Sequence, residues 1–417
     1  MSDAIVVTGG AVLEGSIPIL GAKNAAVKHL VGALLAPGEH TLYNVPRIVD
    51  VEIMGRVLEH VGARCIRDGT TLQVIVPDDP NPEAPLVLVR QMRASILVLG
   101  ALLARCGEAR VALPGGDDFG VRPIDFHVKG LEAMGARFDL SHGVLRASAP
   151  DGLHGTDIFL EFPSVGATEN LLLASVLAEG TTTIRNAARE PELTDLAEFL
   201  RKMGAKIDGA GTSTIEVHGV TELGPAEHRT VPDRLEAGTY LVAGAATRGT
   251  VTVEDCVPDH LRMELAKLEA TGASVSTTET SITVTGPDRP DAVDLATLPF
   301  PGFHTDMHPQ MVAYLSIANG TSIVTENIYA GRFRYLGEIN RLGGDVHAEG
   351  QHVVIRGVEG LSGCEVDGCD IRAAAALTIA ALAAEGLTTV THANHIDRGY
   401  DSFVPNLVSL GATITRT

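Results

Sequence analysis

The residues of this sequence that could do chemistry gather at a few short, ordered places. Cations with polar neighbours stand at Lys23-Asn24, Arg93, Ser164 to Thr168, and Asp370 with Arg372, and an acid, Asp306, stands at an equivalent place. Further arginines, Arg122, Arg189, Arg332 and Arg398, stand just upstream of other predicted helices. One glycine-rich stretch, "LPGGDDFGVRP" (113–123), sets two acids, Asp117 and Asp118, five and four residues before Arg122. Arginines near helix starts suit a multiply anionic ligand, because the starts carry free N–H groups and a positive dipole. The stretch is not a dinucleotide fingerprint, since its glycine spacing and the helix that follows are wrong for one.

The chain as a whole is acidic. It has 417 residues, 32 Lys plus Arg against 52 Asp plus Glu, and a net charge of −20. No basic footprint for nucleic acid is visible. Hydrophobic residues are 45% and charged residues 20%, a soluble profile with no apolar run of membrane-spanning length and no signal peptide. Five scattered cysteines (Cys65, Cys106, Cys256, Cys364, Cys369) have no paired metal-ligand spacing. The expectation is a cytoplasmic protein without disulfides or a bound metal. The sequence sets no oligomeric state.

The elements that must position these residues come from a repeat. A helical pattern ends at Gly62, Gly135, Gly204, Gly272, Gly343 and Gly411, 68 to 73 residues apart. An aliphatic residue precedes each glycine by four positions: Leu58, Leu131, Leu200, Leu268, Ile339 and Leu407. This is an inward stripe stopped by a glycine cap. Upstream of each lies an Ala/Leu-rich helix, apolar nearly all round, then a glycine turn and a strand. Two alternating strands follow each Gly-Ala or Gly-Gly pair. Each unit therefore reads helix, strand, helix, strand, strand. The sixth lacks its last strand, and "DAIVVTGG" at the N-terminus supplies it. The expected architecture is α/β, with three units per domain, helices buried at the centre and sheets outside. Residues 22–230 form the first domain, and residues 1–21 with 231–417 form the second.

The residues then carry a resemblance. "GAKNAA" (21–26), "MRASI" (92–96), the 113–127 stretch, "PSVGATEN" (163–170), "AREPELTDL" (188–196), "FHTDM" (303–307), "DIRAAAAL" (370–377) and "HIDRGY" (395–400) resemble the UDP-N-acetylglucosamine enolpyruvyl transferases, over essentially the whole chain. The resemblance implies two inside-out α/β domains, the fold shared with 5-enolpyruvylshikimate-3-phosphate synthase, with the active site in the interdomain cleft. It implies transfer of enolpyruvyl from phosphoenolpyruvate to the 3-hydroxyl of UDP-N-acetylglucosamine, the first committed step of peptidoglycan precursor synthesis, with no cofactor and with domain closure on binding the sugar nucleotide. Rival readings are transfer to another nucleotide in specialised metabolism and a non-catalytic sugar-nucleotide sensor.

By the same resemblance, Lys23, Asn24, Arg122, Arg332, Arg372 and Arg398 bind phosphoenolpyruvate. Asn24, Arg93, Arg122, Pro123, Ile124, Asp125, Phe126, Ser164, Val165, Gly166, Asp306 and Ile328 bind the sugar nucleotide. Asp306 is the base, Asp117 the acid, Lys23 and Arg398 are catalytic, and Asp50 and Asp370 support them. Many members carry cysteine where this chain has Asp117, and that cysteine is the target of fosfomycin. Other departures are Phe162 for lysine, His304 for proline, and "VKHL" (27–30) for an apolar "LP" start.

Overall fold

The computed structural model describes residues 3–115, 123–329 and 331–417. The chain divides into two compact units, Gly21–Val231 and the residues up to Leu20 with Pro232–Thr417. Asp117 and Arg122 lie outside the described residues.

The unit Gly21–Val231 is built on three apolar helices, Lys23–Ala33, Val98–Cys106 and Val165–Ser175, with Val98–Cys106 packed on both others. Ala25 through Ala33 are all buried, as the all-round apolar sequence requires. In the other unit, Arg234–Ala246, His308–Leu315 and Ile371–Ala383 pack on one another, and all thirteen residues of Arg234–Ala246 are buried. Close packing of helices requires small residues at the crossings. A Cβ on Gly100 would stand 2.3 Å from Asn170 Oδ1, and that oxygen instead accepts the Gly100 N–H at 2.7 Å.

Every predicted helix–glycine stop has one physical form. The six repeat glycines have φ between +90° and +110°, a region L side chains rarely adopt. In each, the N–H after the glycine bonds back to the carbonyl of the aliphatic residue four before it, as Ala63 does to Leu58 and Ala205 to Leu200, both at 3.0 Å. These are Schellman caps, which explains why the glycine and the aliphatic residue recur together. At Gly204 a Cβ would meet nothing closer than 3.9 Å, so only backbone strain opposes a side chain. Gly204→Ala is expected to cost about 1–2 kcal/mol in urea unfolding of its unit, with the fold retained.

The sheets carry one strand more than the sequence pattern reveals. Among the described residues, five of the six are four-stranded, with an added short edge strand that pairs in parallel with the first strand of the unit: Glu227–Arg229 on Gly38–Tyr43, Asp157–Phe159 on Thr181–Arg185, Glu14–Pro18 on Thr250–Glu254, Leu295–Ala296 on Thr321–Thr325, and Glu365–Asp367 on Leu387–Thr391. In the sixth, whose Glu108–Ala112 pairs antiparallel with Val144–Ser148, a single parallel bridge from Glu83 to Arg110 stands, among the described residues, in place of that edge strand. At two to five residues, these edges are too short to show a period of two. The N-terminal strand Ala4–Thr8 pairs antiparallel with both Leu387–Thr391 and Thr413–Arg416, so it fills the gap in the last unit. Among the described residues, no helix is long and apolar enough to cross a membrane.

Candidate active site

In the unit Gly21–Val231, Lys23 opens its helix behind Ala22, which offers no side-chain cap, so the first N–H groups lie outside the helix ladder. Lys23 Nζ sits 2.7 Å from Asp50 Oδ2, and Asp50 is buried in the first turn of Val49–His60. Asn24 follows, half-buried. The structure brings Asp50 to Lys23 from 27 residues away, a pairing no local pattern shows.

A second group forms around His127. Arg93 does not start an α-helix directly. It opens a 3-10 turn, Arg93–Leu97, that runs into Val98–Cys106. Arg93 Nη2 donates to the Pro123 carbonyl at 2.9 Å. Ile124 precedes, and Asp125 and Phe126 begin, the helix Asp125–Ala133. Ser164 caps Val165–Ser175 through its Oγ, which accepts the Ala167 N–H. A Cβ on Gly166 would reach the His127 ring at 3.3 Å, so glycine allows the close approach. Asn170 Nδ2 and His127 Nδ1 are 2.9 Å apart. Arg93, Pro123 to Phe126 and Ser164 to Gly166 thus form one connected group. Burial, with Arg93 nearby, pushes the His127 imidazole down to about 4, so it is neutral at pH 7.

The "VKHL" departure has a structural counterpart. Lys28 Nζ lies 2.6 Å from Glu169 Oε1, joining the Lys23 helix to the Ser164 helix, with both side chains nearly inaccessible. Burial raises Glu169, and Glu190 and Glu192 add to this, so that despite Lys28 its carboxyl is pushed up to about 7. Raised above its unfolded value, it binds more protons folded than unfolded between about pH 4.5 and 7, so its contribution to stability falls as pH rises through that window. The double variant Lys28→Met, Glu169→Gln removes both charges and is expected to flatten the melting temperature between pH 5 and 8, where wild type declines. An unchanged slope would contradict this.

His29, Asp195 and His228 bring ligand atoms within 4.8 Å of one another, which would suit a cation by distance alone. The proton arrangement points elsewhere. Lys202 Nζ stands 3.1 Å from His228 Nδ1, so that nitrogen accepts and Nε2 donates to Asp195 Oδ1 at 2.9 Å. A metal on Nε2 would force a proton onto Nδ1, facing the lysine. Asp195 Oδ2 also accepts the Val231 N–H at 3.0 Å. Asp195 thus ties His228 to the Val231 N–H, and its Oδ2 lies 3.2 Å from His29 Nε2.

In the other unit, the centre is Asp306. Like Arg93, it lies in a 3-10 turn, Thr305–Met307, ahead of its helix rather than at an α-helical start. Its Oδ1 is 2.6 Å from Arg332 Nη1 and its Oδ2 is 3.1 Å from Arg372 Nε, and both arginines are buried. Burial alone would raise the Asp306 carboxyl, but the two guanidiniums hold it well below the usual carboxylate range. His304 Nδ1 accepts the Asp306 N–H at 2.9 Å, so the departure from proline creates a cap. Asp370 caps Ile371–Ala383 by accepting the Arg372 and Ala373 N–H groups, and Arg372 stacks 5.1 Å over the Tyr400 ring. Arg398 ends the 3-10 segment Ala393–Arg398, half-buried. Ile328 donates its N–H to Glu326 at 2.7 Å. Glu326 is a buried acid that sequence reasoning passed over: one glutamate after a strand has no distinguishing spacing.

Comparison with known proteins follows the same lines. The family model for EPSP synthase (3-phosphoshikimate 1-carboxyvinyltransferase) matches residues 7–407. Proteins named UDP-N-acetylglucosamine 1-carboxyvinyltransferase from Mycobacterium tuberculosis and Corynebacterium jeikeium are 50% and 51% identical over 416 residues, covering 100% of this chain and 99% of each relative. The crystal structure of the enolpyruvyl transferase NikO from Streptomyces tendae superposes with a TM-score of 0.90 at 26% identity, covering 100% of this chain and 99% of that one. EPSP synthase from Acinetobacter baumannii shares the fold, with a TM-score of 0.77 at 17% identity over the full length of both chains. With an Arg-held aspartate, a Lys–Asp pair at a helix start and full-length relatives at half identity, the chain belongs to the enolpyruvyl transferase family of EPSP synthase and the UDP-N-acetylglucosamine 1-carboxyvinyltransferases.

Proposed function

We propose that this enzyme transfers the enolpyruvyl group of phosphoenolpyruvate to the 3-hydroxyl of UDP-N-acetylglucosamine and releases phosphate, the first committed step of peptidoglycan precursor synthesis. The observation that carries the reading is the identity of about half, along the entire chain, to relatives named for this activity. The site geometry supports it. The reaction needs a base for the sugar hydroxyl, an acid for C3 of phosphoenolpyruvate and cations on its phosphate and carboxylate.

Asp306, ionised between Arg332 and Arg372, takes the hydroxyl proton as the oxygen bonds to C2. Asp117 gives C3 its proton. The resulting ketal then loses phosphate and the C3 proton, restoring the double bond. Lys23, oriented by Asp50, with Asn24, Arg122 and Arg398, holds phosphoenolpyruvate. Arg332 and Arg372 bind its carboxylate side. Arg93, Pro123 to Phe126, Ser164 to Gly166 and Ile328 bind the sugar nucleotide. No cofactor enters these steps, because phosphoenolpyruvate carries the group transferred.

The test is phosphate release from phosphoenolpyruvate with UDP-N-acetylglucosamine and with a panel of other nucleotides. Release with the named acceptor alone supports the reading. Release only with another nucleotide reassigns the acceptor, and binding without any release makes the protein a sensor.

A further inference from the structure

Glu326 follows the strand Thr321–Thr325, has no accessible surface, and holds five groups with one carboxylate. Its Oε1 accepts from Thr297 Oγ1 at 2.9 Å and from the N–H groups of Ile328 at 2.7 Å and Tyr329 at 2.9 Å. Its Oε2 accepts from Thr305 Oγ1 at 2.8 Å and lies 3.1 Å from His308 Nδ1. Thr305 and His308 flank Asp306 in sequence, and Arg332, which grips Asp306, also donates to Thr305 Oγ1 at 3.3 Å. Burial would raise this carboxyl, but the hydrogen bond and charge of His308 and the two backbone N–H groups take it down to about 2. It is therefore ionised at any working pH, and all its contacts are those of an acceptor.

The two oxygens serve different ends. Oε1 shapes the turn that presents Ile328, and Oε2 fixes the segment that presents Asp306. We infer that Glu326 is a positioning residue that sets the acceptor-binding turn and the base in register with each other. This rests on the functional reading above, in which Ile328 touches the sugar nucleotide and Asp306 takes its proton. A misplacement of about 1 Å at the base can cost about a hundredfold in rate, so a carboxylate that touches no substrate can still govern turnover.

The two oxygens can be separated by substitution. Glu326→Gln keeps one oxygen for the turn but places an NH2 group before the Thr305 hydroxyl, which loses its acceptor, and beside His308 Nδ1, which keeps the Thr305 carbonyl at 3.0 Å. The expected result is a kcat about tenfold lower, with the KM for UDP-N-acetylglucosamine within about twofold of wild type. Glu326→Ala frees both segments. Its kcat is expected about a hundredfold lower and its KM for UDP-N-acetylglucosamine about tenfold higher, while the KM for phosphoenolpyruvate stays within about threefold because Arg332 keeps its ion pair.

Steady-state phosphate release, below the melting temperature of each variant, reads these values. Should the alanine variant fail to fold, the glutamine variant carries the test. Wild-type kinetics in both variants, or an equal rise in both KM values, overturns the positioning role. Absence of phosphate release by the wild-type protein with UDP-N-acetylglucosamine is a separate outcome: it overturns the assigned reaction, and the positioning role falls with it.

Discussion

Asp306→Asn is expected to lower kcat by about a thousandfold, within the range a positioned general base contributes. Asparagine preserves the shape but cannot take a proton. The two guanidiniums that hold Asp306 ionised also make it a weak base. A weak base suffices if proton removal accompanies bond formation, because the sugar hydroxyl becomes strongly acidic as its oxygen bonds to C2. The depressed carboxyl does not titrate in the working range, so the acid limb of kcat against pH should keep its position while the plateau drops. The substitution also leaves Arg332 and Arg372 buried without their shared anion, which lowers stability. Turnover must therefore be compared below the melting temperature of the variant. Near-native turnover would remove Asp306 from the base role.

Asp117→Asn is expected to lose most turnover, by about a hundredfold or more, while UDP-N-acetylglucosamine still binds with an affinity within about twofold of wild type. This prediction rests on the sequence, because Asp117 lies outside the described residues. A carboxylic acid can protonate C3 if burial or a neighbouring carboxylate raises its pKa. The thiolate that opens an epoxide is missing at this position, so fosfomycin should leave activity unchanged and add no mass to the loop peptide. Intact and peptide mass spectrometry after treatment checks this. An adduct on Asp117, or an asparagine variant at full rate, would contradict the assignment.

The repeat was legible because each unit needs the same stop, and glycine alone takes the conformation at Gly62, Gly135 and their four equivalents without backbone strain. The N-terminal strand was legible because the sixth unit visibly lacked one. The edge strands were not, since Leu295–Ala296 is two residues long and its place is set by a neighbour some thirty residues away. Helix starts pointed to Lys23, Arg93, Asp306 and Arg372, although Arg93 and Asp306 prove to sit on 3-10 turns. Pairings such as Lys28 with Glu169, or Glu326 with Thr305, escaped because tertiary packing joins residues that share no spacing.

The most direct measurement is proton and phosphorus magnetic resonance of a reaction containing phosphoenolpyruvate, UDP-N-acetylglucosamine and the enzyme. The account predicts vinyl proton signals on a new ether at the 3-oxygen of the sugar, appearing one for one with inorganic phosphate. Phosphate without that ether, or an ether at another oxygen or on another nucleotide alone, would contradict it.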